Sequence, residues 1–201
     1  MPYIGTQPND VKKNTGLYTP SEILQLTKDG HWGGSLELVE EQTVSGVSQV
    51  EFKDLADKPH SVYVLYVNNI TTTGNSQKII RFSNDNGDNF ISSSNYRYAY
   101  FYGNTANTFD TPSSSSLTNI NTNFLSSSSS TSSSNGYVYF YNLLNSDRFS
   151  TVTFHNMNQW VDTRMGFGGG SLSTIETHNA IQFSPSAGTL SGNFKLLGIK
   201  Q

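Results

Sequence analysis

The hexapeptide Asn84-Asp85-Asn86-Gly87-Asp88-Asn89 crowds carboxylate and amide oxygens onto a glycine-containing turn, a composition that suits a calcium ion. Asp85 and Asp88 are its candidate ligands. The acidic spacing is not that of an EF-hand, and no Glu closes the loop. Asn-Gly is also what a tight hairpin turn demands, so the segment reads first as a turn and second as a weak calcium site. The four histidines, His31, His60, His155 and His178, show no ligand spacing among themselves and read as structural. No Gly-x-Ser-x-Gly elbow, phosphate loop or His-Glu-x-x-His is present. Glu37, Glu40, Glu41, Glu51 and Asp54 gather early in the chain. A glycosidase would need two carboxylates about 5–10 Å apart across a cleft. Alternation puts Glu37 and Glu41 on one face of a strand and Glu40 on the other. No catalytic residue and no cofactor is expected.

Tyr96, Tyr98, Tyr100 and Tyr102 form one alternating ladder, and Tyr137, Tyr139 and Tyr141 a second. Facing outward, such ladders could stack on sugar rings or on a partner chain, because tyrosine pairs an apolar body with a wet hydroxyl. Facing inward, they are core, since cross-strand aromatic pairs also stabilise sheets. The inward reading is preferred. In the outward reading, Tyr96, Tyr98, Tyr100 and Tyr102 are contact residues, together with Tyr3 and Ile4 near the N-terminus. Trp32 and Trp160 flank Gly33-Gly34 and Gly166-Phe167-Gly168-Gly169-Gly170, and read as caps of a sandwich.

The elements that must position these residues are strands. Residues 1–18 are polar, carry Pro2, Pro8 and Gly16, and read as an extended arm. Thr19-Pro20-Ser21-Glu22 is a capping-box pattern with proline at the first helical position, which predicts a short helix over 19–29 ending at Gly30. From residue 30 to residue 201 the pattern is that of an all-β domain. Alternating or continuous apolar runs recur at Leu36–Val39, Val50–Phe52, Val62–Val67, Lys78–Phe82, Tyr96–Tyr102, Tyr137–Tyr141, Ser150–Phe154, His178–Phe183 and Asn193–Ile199. About eight to ten strands separated by turn residues predict an antiparallel two-sheet β-sandwich. A jelly-roll-like topology is preferred because eight strands suit it. Residues 111–135, rich in serine, read as a flexible surface loop inserted in that sandwich.

Composition narrows the function classes. The 201 residues carry a formal net charge of -3 and only 13% charged residues, with no basic stripe, so no nucleic-acid partner is expected. There is no cysteine, which excludes disulfides and thiolate metal sites. The N-terminus lacks a secretion signal, and no apolar stretch approaches the roughly 20 residues of a membrane helix. A soluble protein made in a cytoplasm is expected, with no membrane partner. Its Ser, Thr and Asn surface suits contact with other subunits or with sugars.

Several segments together resemble single-domain β proteins found among the structural proteins of marine and aquatic tailed bacteriophages. They are Pro2-Tyr3-Ile4-Gly5, the stretch Gly33 to Gln42, Val62 to Val67, Ile80-Arg81-Phe82-Ser83 and the ending Gly192 to Gln201. The resemblance spans most of residues 1–110 and 136–201. It implies a non-enzymatic virion component, either a capsid decoration protein or a tail or fibre part, made in the bacterial host cytoplasm and located on the particle. The implied partners are major capsid or tail proteins and further copies of the chain, with a trimer or other closed ring as a suitable assembly. The alternatives are a carbohydrate-binding module taking a host surface glycan, and a glycan or peptidoglycan hydrolase.

Overall fold

Val62-Tyr63-Val64-Leu65-Tyr66-Val67 is continuously apolar because its strand lies deep in a sheet, with Tyr63, Val64 and Leu65 all buried. The computed structural model describes residues 36–126, 132–159 and 162–199, together with Ser21, Leu24 and Gln25. Residues 1–35 and 36–201 are separate units, and every described strand belongs to the second. Ser21, Leu24 and Gln25 are helical; the rest of the helix expected over 19–29 lies outside the described residues. So do the arm over 1–18 with Tyr3 and Ile4, and also His31, Trp32 and Trp160.

The strands are β1 (Leu36–Val47), β2 (Val50–Phe52), β3 (Val62–Thr72), β4 (Ser76–Ser83), β5 (Tyr96–Asn104), β6 (Phe109–Asp110) and β7 (Ser113–Leu117). They continue with β8 (Ile120–Ser126), β9 (Ser133–Tyr141), β10 (Phe149–Gln159), β11 (Thr163–Ile175), β12 (Ala180–Pro185) and β13 (Leu190–Ile199). A 3-10 turn spans Leu55–Asp57. Nine strands form a large antiparallel sheet in the order β1-β13-β3-β9-β10-β11-β5-β6, with β7 also on β5. Four form a small sheet in the order β2-β12-β4-β8. The chain passes from one sheet to the other between β1 and β2, β2 and β3, β3 and β4, β4 and β5, β7 and β8, β8 and β9, β11 and β12, and β12 and β13. The core lies between the sheets, where Phe52, Phe82, Phe140, Phe183 and Phe194 are fully buried.

Two sequence readings need correction. Residues 111–135 are not one surface loop. Ser113–Leu117 is β7, paired with β5, and Ile120–Ser126 is β8, paired with β4. Ile120 and Phe124 enter the core from β8, which offsets the ordering entropy that a serine run alone would not repay. Ser132 and Ser134 are buried at the start of the next strand. The second correction is to the set of strands, which did not include β11 with its Gly166, Gly168 and Gly170. A Cβ on Gly166 would collide with the Asn123 amide, and one on Gly170 would lie 2.7 Å from the Ile120 side chain. These glycines are the clearance that lets β8 pack against β11.

Candidate functional site

Alternation decides which face of the large sheet is covered. In β10, Val152, Phe154, Asn156 and Asn158 are buried, so Thr151, Thr153, His155 and Met157 point away from the small sheet. Register then lines their neighbours up across the strands. Tyr66 of β3 faces Tyr137 of β9, Tyr137 faces His155, His155 faces Phe167 of β11, and Phe167 faces Phe101 of β5. Phe109 of β6 extends the row, its ring stacked 5.9 Å from that of Phe101. Ring centroids are 6.3 Å apart for Tyr66–Tyr137, 5.7 Å for Tyr137–His155 and 5.5 Å for Phe101–Phe167. A transverse row of six rings thus crosses six strands of the sheet.

The rows beside it differ in size. On one side lie Tyr139, Thr153, Gly169 and Ala99, which leave a shallow trough over Thr153 and Gly169. Tyr137, Tyr139, Tyr141, Thr153, His155 and Phe167 line a pocket there. On the other side Met157 faces Met165, and both are more than half exposed. Phe167 is 57% and Phe109 65% exposed, far above what a ring on a covered sheet would show. Hydrogen-bonding groups are interleaved: the Tyr137 hydroxyl meets His155 Nδ1 at 3.3 Å, and the Tyr141 hydroxyl meets Thr153 Oγ1 at 3.2 Å. Strands β3, β5, β9, β10 and β11 contain no carboxylate. Carboxylates stand at the flanks instead: Glu41 of β1, paired with Lys195 of β13 at 3.2 Å, and Asp110 of β6.

The first tyrosine ladder is elsewhere. Tyr96 and Tyr100 are buried, while Tyr98 and Tyr102 pack part-buried against the core, so this ladder faces the small sheet and is not a surface contact of this chain. The Tyr96 hydroxyl accepts from Phe82 N–H at 3.0 Å and donates to the Ile91 carbonyl at 3.1 Å, and burial pushes its pKa up to about 12. The Tyr100 hydroxyl accepts from the Gln77 amide at 2.7 Å, and burial likewise raises its pKa to about 12. Tyr137, Tyr139 and Tyr141, the second ladder, lie on the outer face. Phe101, Phe109, Phe167, Met157, Met165 and Tyr66 were not candidates from sequence. The signal for Phe101 was its odd position within the Tyr96–Tyr102 alternation. Phe167 and Met165 were hidden by the glycines around them.

The calcium candidate is a turn. Asp85 accepts the Ser83 hydroxyl at 2.6 Å and both the backbone and side-chain amides of Asn89 at 2.9 Å, and these bonds, the Ser83 one foremost, hold its pKa down at about 2. Asn86 and Gly87 adopt the positive φ values, 61° and 86°, that such a turn requires. The Asp88 backbone N–H donates to the Asp85 carbonyl at 3.4 Å. Among the described residues no three His, Asp or Glu side chains converge as a metal site would need.

One set of chemistry-bearing residues comes together that sequence did not suggest. Ser150 Oγ lies 2.7 Å from His178 Nδ1, and His178 Nε2 lies 3.4 Å from Glu176 Oε1. Ser150 and His178 are fully buried beside Phe82, with ring centroids of Phe82 and His178 5.4 Å apart. The Ser150 hydroxyl also reaches the Asn142 carbonyl at 3.4 Å, and no substrate can approach it. Burial lowers the His178 pKa, and the adjacent Glu176 carboxylate opposes that shift without overcoming it. The set therefore anchors the loop before β12 and is not a nucleophilic triad. His60 packs edge-on against Tyr63 at 5.5 Å and is likewise structural.

Comparison with family models, with curated proteins and with solved structures returned no match.

Proposed function

We propose that this chain is a non-enzymatic virion structural subunit of a tailed bacteriophage, a capsid decoration or tail-associated part, that acts by contact through the outer face of its large sheet. The observation that carries the contact reading is the exposed aromatic and methionine face over β3, β9, β10, β11, β5 and β6. Large apolar patches on soluble domains mark surfaces that another molecule covers. The virion assignment rests on the segment resemblances over most of residues 1–110 and 136–201. A jelly-roll plan is proposed with it. Eight strands wound as two Greek keys would interleave as β1-β13-β3-β9 over β2-β12-β4-β8, which is the order these strands take. On that plan β5–β7 and β10–β11 are insertions that widen the large sheet past β9. Five of the six rings in the row lie on β9 and on strands those insertions supply.

A second reading, a carbohydrate-binding module for host attachment, is favoured by the trough. Tyrosine rings edged by hydroxyls and an imidazole suit the flat face and the hydroxyls of a pyranose. The test that separates a virion part from other roles is the copy number of this protein in purified particles, by quantitative mass spectrometry against the major capsid protein. Hundreds of copies are expected for a capsid decoration protein. A few to a few dozen, in multiples of three or six, are expected for a tail, collar or fibre part. Absence from the particle overturns the reading.

A further inference from the structure

We infer that the outer face of the large sheet is the interface between copies of this chain. The inference rests on the contact reading of that face and names the partner. Three observations point to self-association. The first is charge. A surface that meets its own copy brings like residues close together, so it must avoid charge of one sign. Strands β3, β5, β9, β10 and β11 carry no Asp or Glu, and their outward basic side chains are confined to Arg97 at one margin and His155.

The second is area. Five strands about 4.8 Å apart, over the nine residues from Phe149 to Met157 at about 3.3 Å each, mark out roughly 24 by 30 Å, on the order of 700 Å², and the two residues of β6 extend it at one edge. A stable interface needs about 800 Å² from each partner, so the patch is close to the size required. The third is shape. The ring row Tyr66, Tyr137, His155, Phe167, Phe101 stands beside the low row of Thr153, Gly169 and Ala99. The same face therefore offers a ridge and a trough, and can both insert and receive. The exposed residues are of interface type, with Met157, Met165, Phe167 and Phe109 each more than half exposed. A glycan would use the trough and leave both methionines and Phe109 uncovered.

The test is sedimentation velocity on the full chain at micromolar concentration, for the wild type, Phe167→Glu, Met157→Glu and a control, Ala187→Glu, on an exposed loop away from the face. The substituted side chains are all exposed, so the far-UV circular dichroism should stay at the wild-type signal and unfolding should stay cooperative, with the midpoint of the face variants lowered only by the lost association. The wild type and the control are expected to sediment as one discrete oligomer, a dimer or a closed trimer. Each face variant is expected to lower the sedimenting mass roughly two- to three-fold, to the monomer. A monomeric wild type overturns the inference, as does an oligomer that survives both face variants. So does a monomer that binds a glycan and loses that binding in Phe167→Glu. A monomer nonetheless present in particles overturns the self-interface and leaves the virion reading standing; an oligomer absent from particles does the reverse.

Discussion

Lys78 is a fully buried lysine on β4, and its ammonium meets only neutral oxygens. Its Nζ donates to the Ser76 carbonyl at 2.9 Å and to the Ser126 hydroxyl at 2.7 Å, and Ser126 in turn meets Thr72 at 3.0 Å. Desolvation lowers its pKa from 10.5 to about 7. Between those values the unfolded chain holds a proton that the folded chain has released. Stability therefore rises with pH from about 7 to about 10.5, by an amount on the order of 5 kcal/mol from this residue alone. In Lys78→Met that contribution disappears. Urea unfolding at pH 7 and pH 10 should show the wild type gaining on the variant as pH rises, and parallel profiles would refute the assignment. Nothing in the local sequence marks this residue. Lys78 opens an apolar run, where a lysine is expected to place its head in water, and that route is closed because Lys78 lies on the buried side of β4 with Ile80 and Phe82, its Nζ held by Ser126 of the neighbouring β8.

At the scale of the element, β8 shows how a free edge is managed. It is the last strand of the small sheet, so one side of its backbone lacks a strand partner. Side chains of the large sheet take that place. The Asn158 amide donates to the Asn123 carbonyl at 2.7 Å, its oxygen accepts from Leu125 N–H at 3.0 Å, and the Ser134 hydroxyl donates to the Leu125 carbonyl. Asn158→Leu would leave one buried N–H and one buried carbonyl unpaired. The expected cost is about 2–4 kcal/mol in urea unfolding, with the far-UV spectrum unchanged. A loss under about half a kcal/mol, within the range of ordinary surface changes, would mean that water replaces the amide. The alternation in β10 was legible from Ser150 to Phe154. What Asn156 and Asn158 do was not, because asparagine at an inward position is read as a break in a strand until the edge it serves is known. The glycines of β11 were opaque for the same kind of reason: their role is the room they leave for Asn123 and Ile120.

For the molecule as a whole, all thirteen described strands and the core they enclose lie between Leu36 and Ile199, and β1 pairs with β13 along most of its length. Residues 36–199 are therefore expected to fold without the first 35. The isolated segment should keep the β-type circular dichroism and the cooperative urea transition of the full chain; an unfolded or molten product would show that residues 1–35 complete the core. The sequence by itself determined the class of the molecule. Val62–Val67, Lys78–Phe82, Tyr137–Tyr141 and Asn193–Ile199 are runs whose period or apolar continuity only a strand satisfies, and β propensity with turn residues between them sufficed for an antiparallel two-sheet protein. The hexapeptide from Asn84 to Asn89 was likewise readable as a turn, since Asn and Gly are the residues that tolerate its backbone angles. Tertiary structure alone decided the rest. Which tyrosine ladder faces the core depends on which side of the large sheet the small sheet covers, and a period of two is the same seen from either side. The six-ring row is assembled from β3, β9, β10, β11, β5 and β6, whose order in the sheet is not their order in the chain. Its residues become neighbours through long-range register, and that register is set by packing across the whole sheet, beyond the reach of any local run of residues.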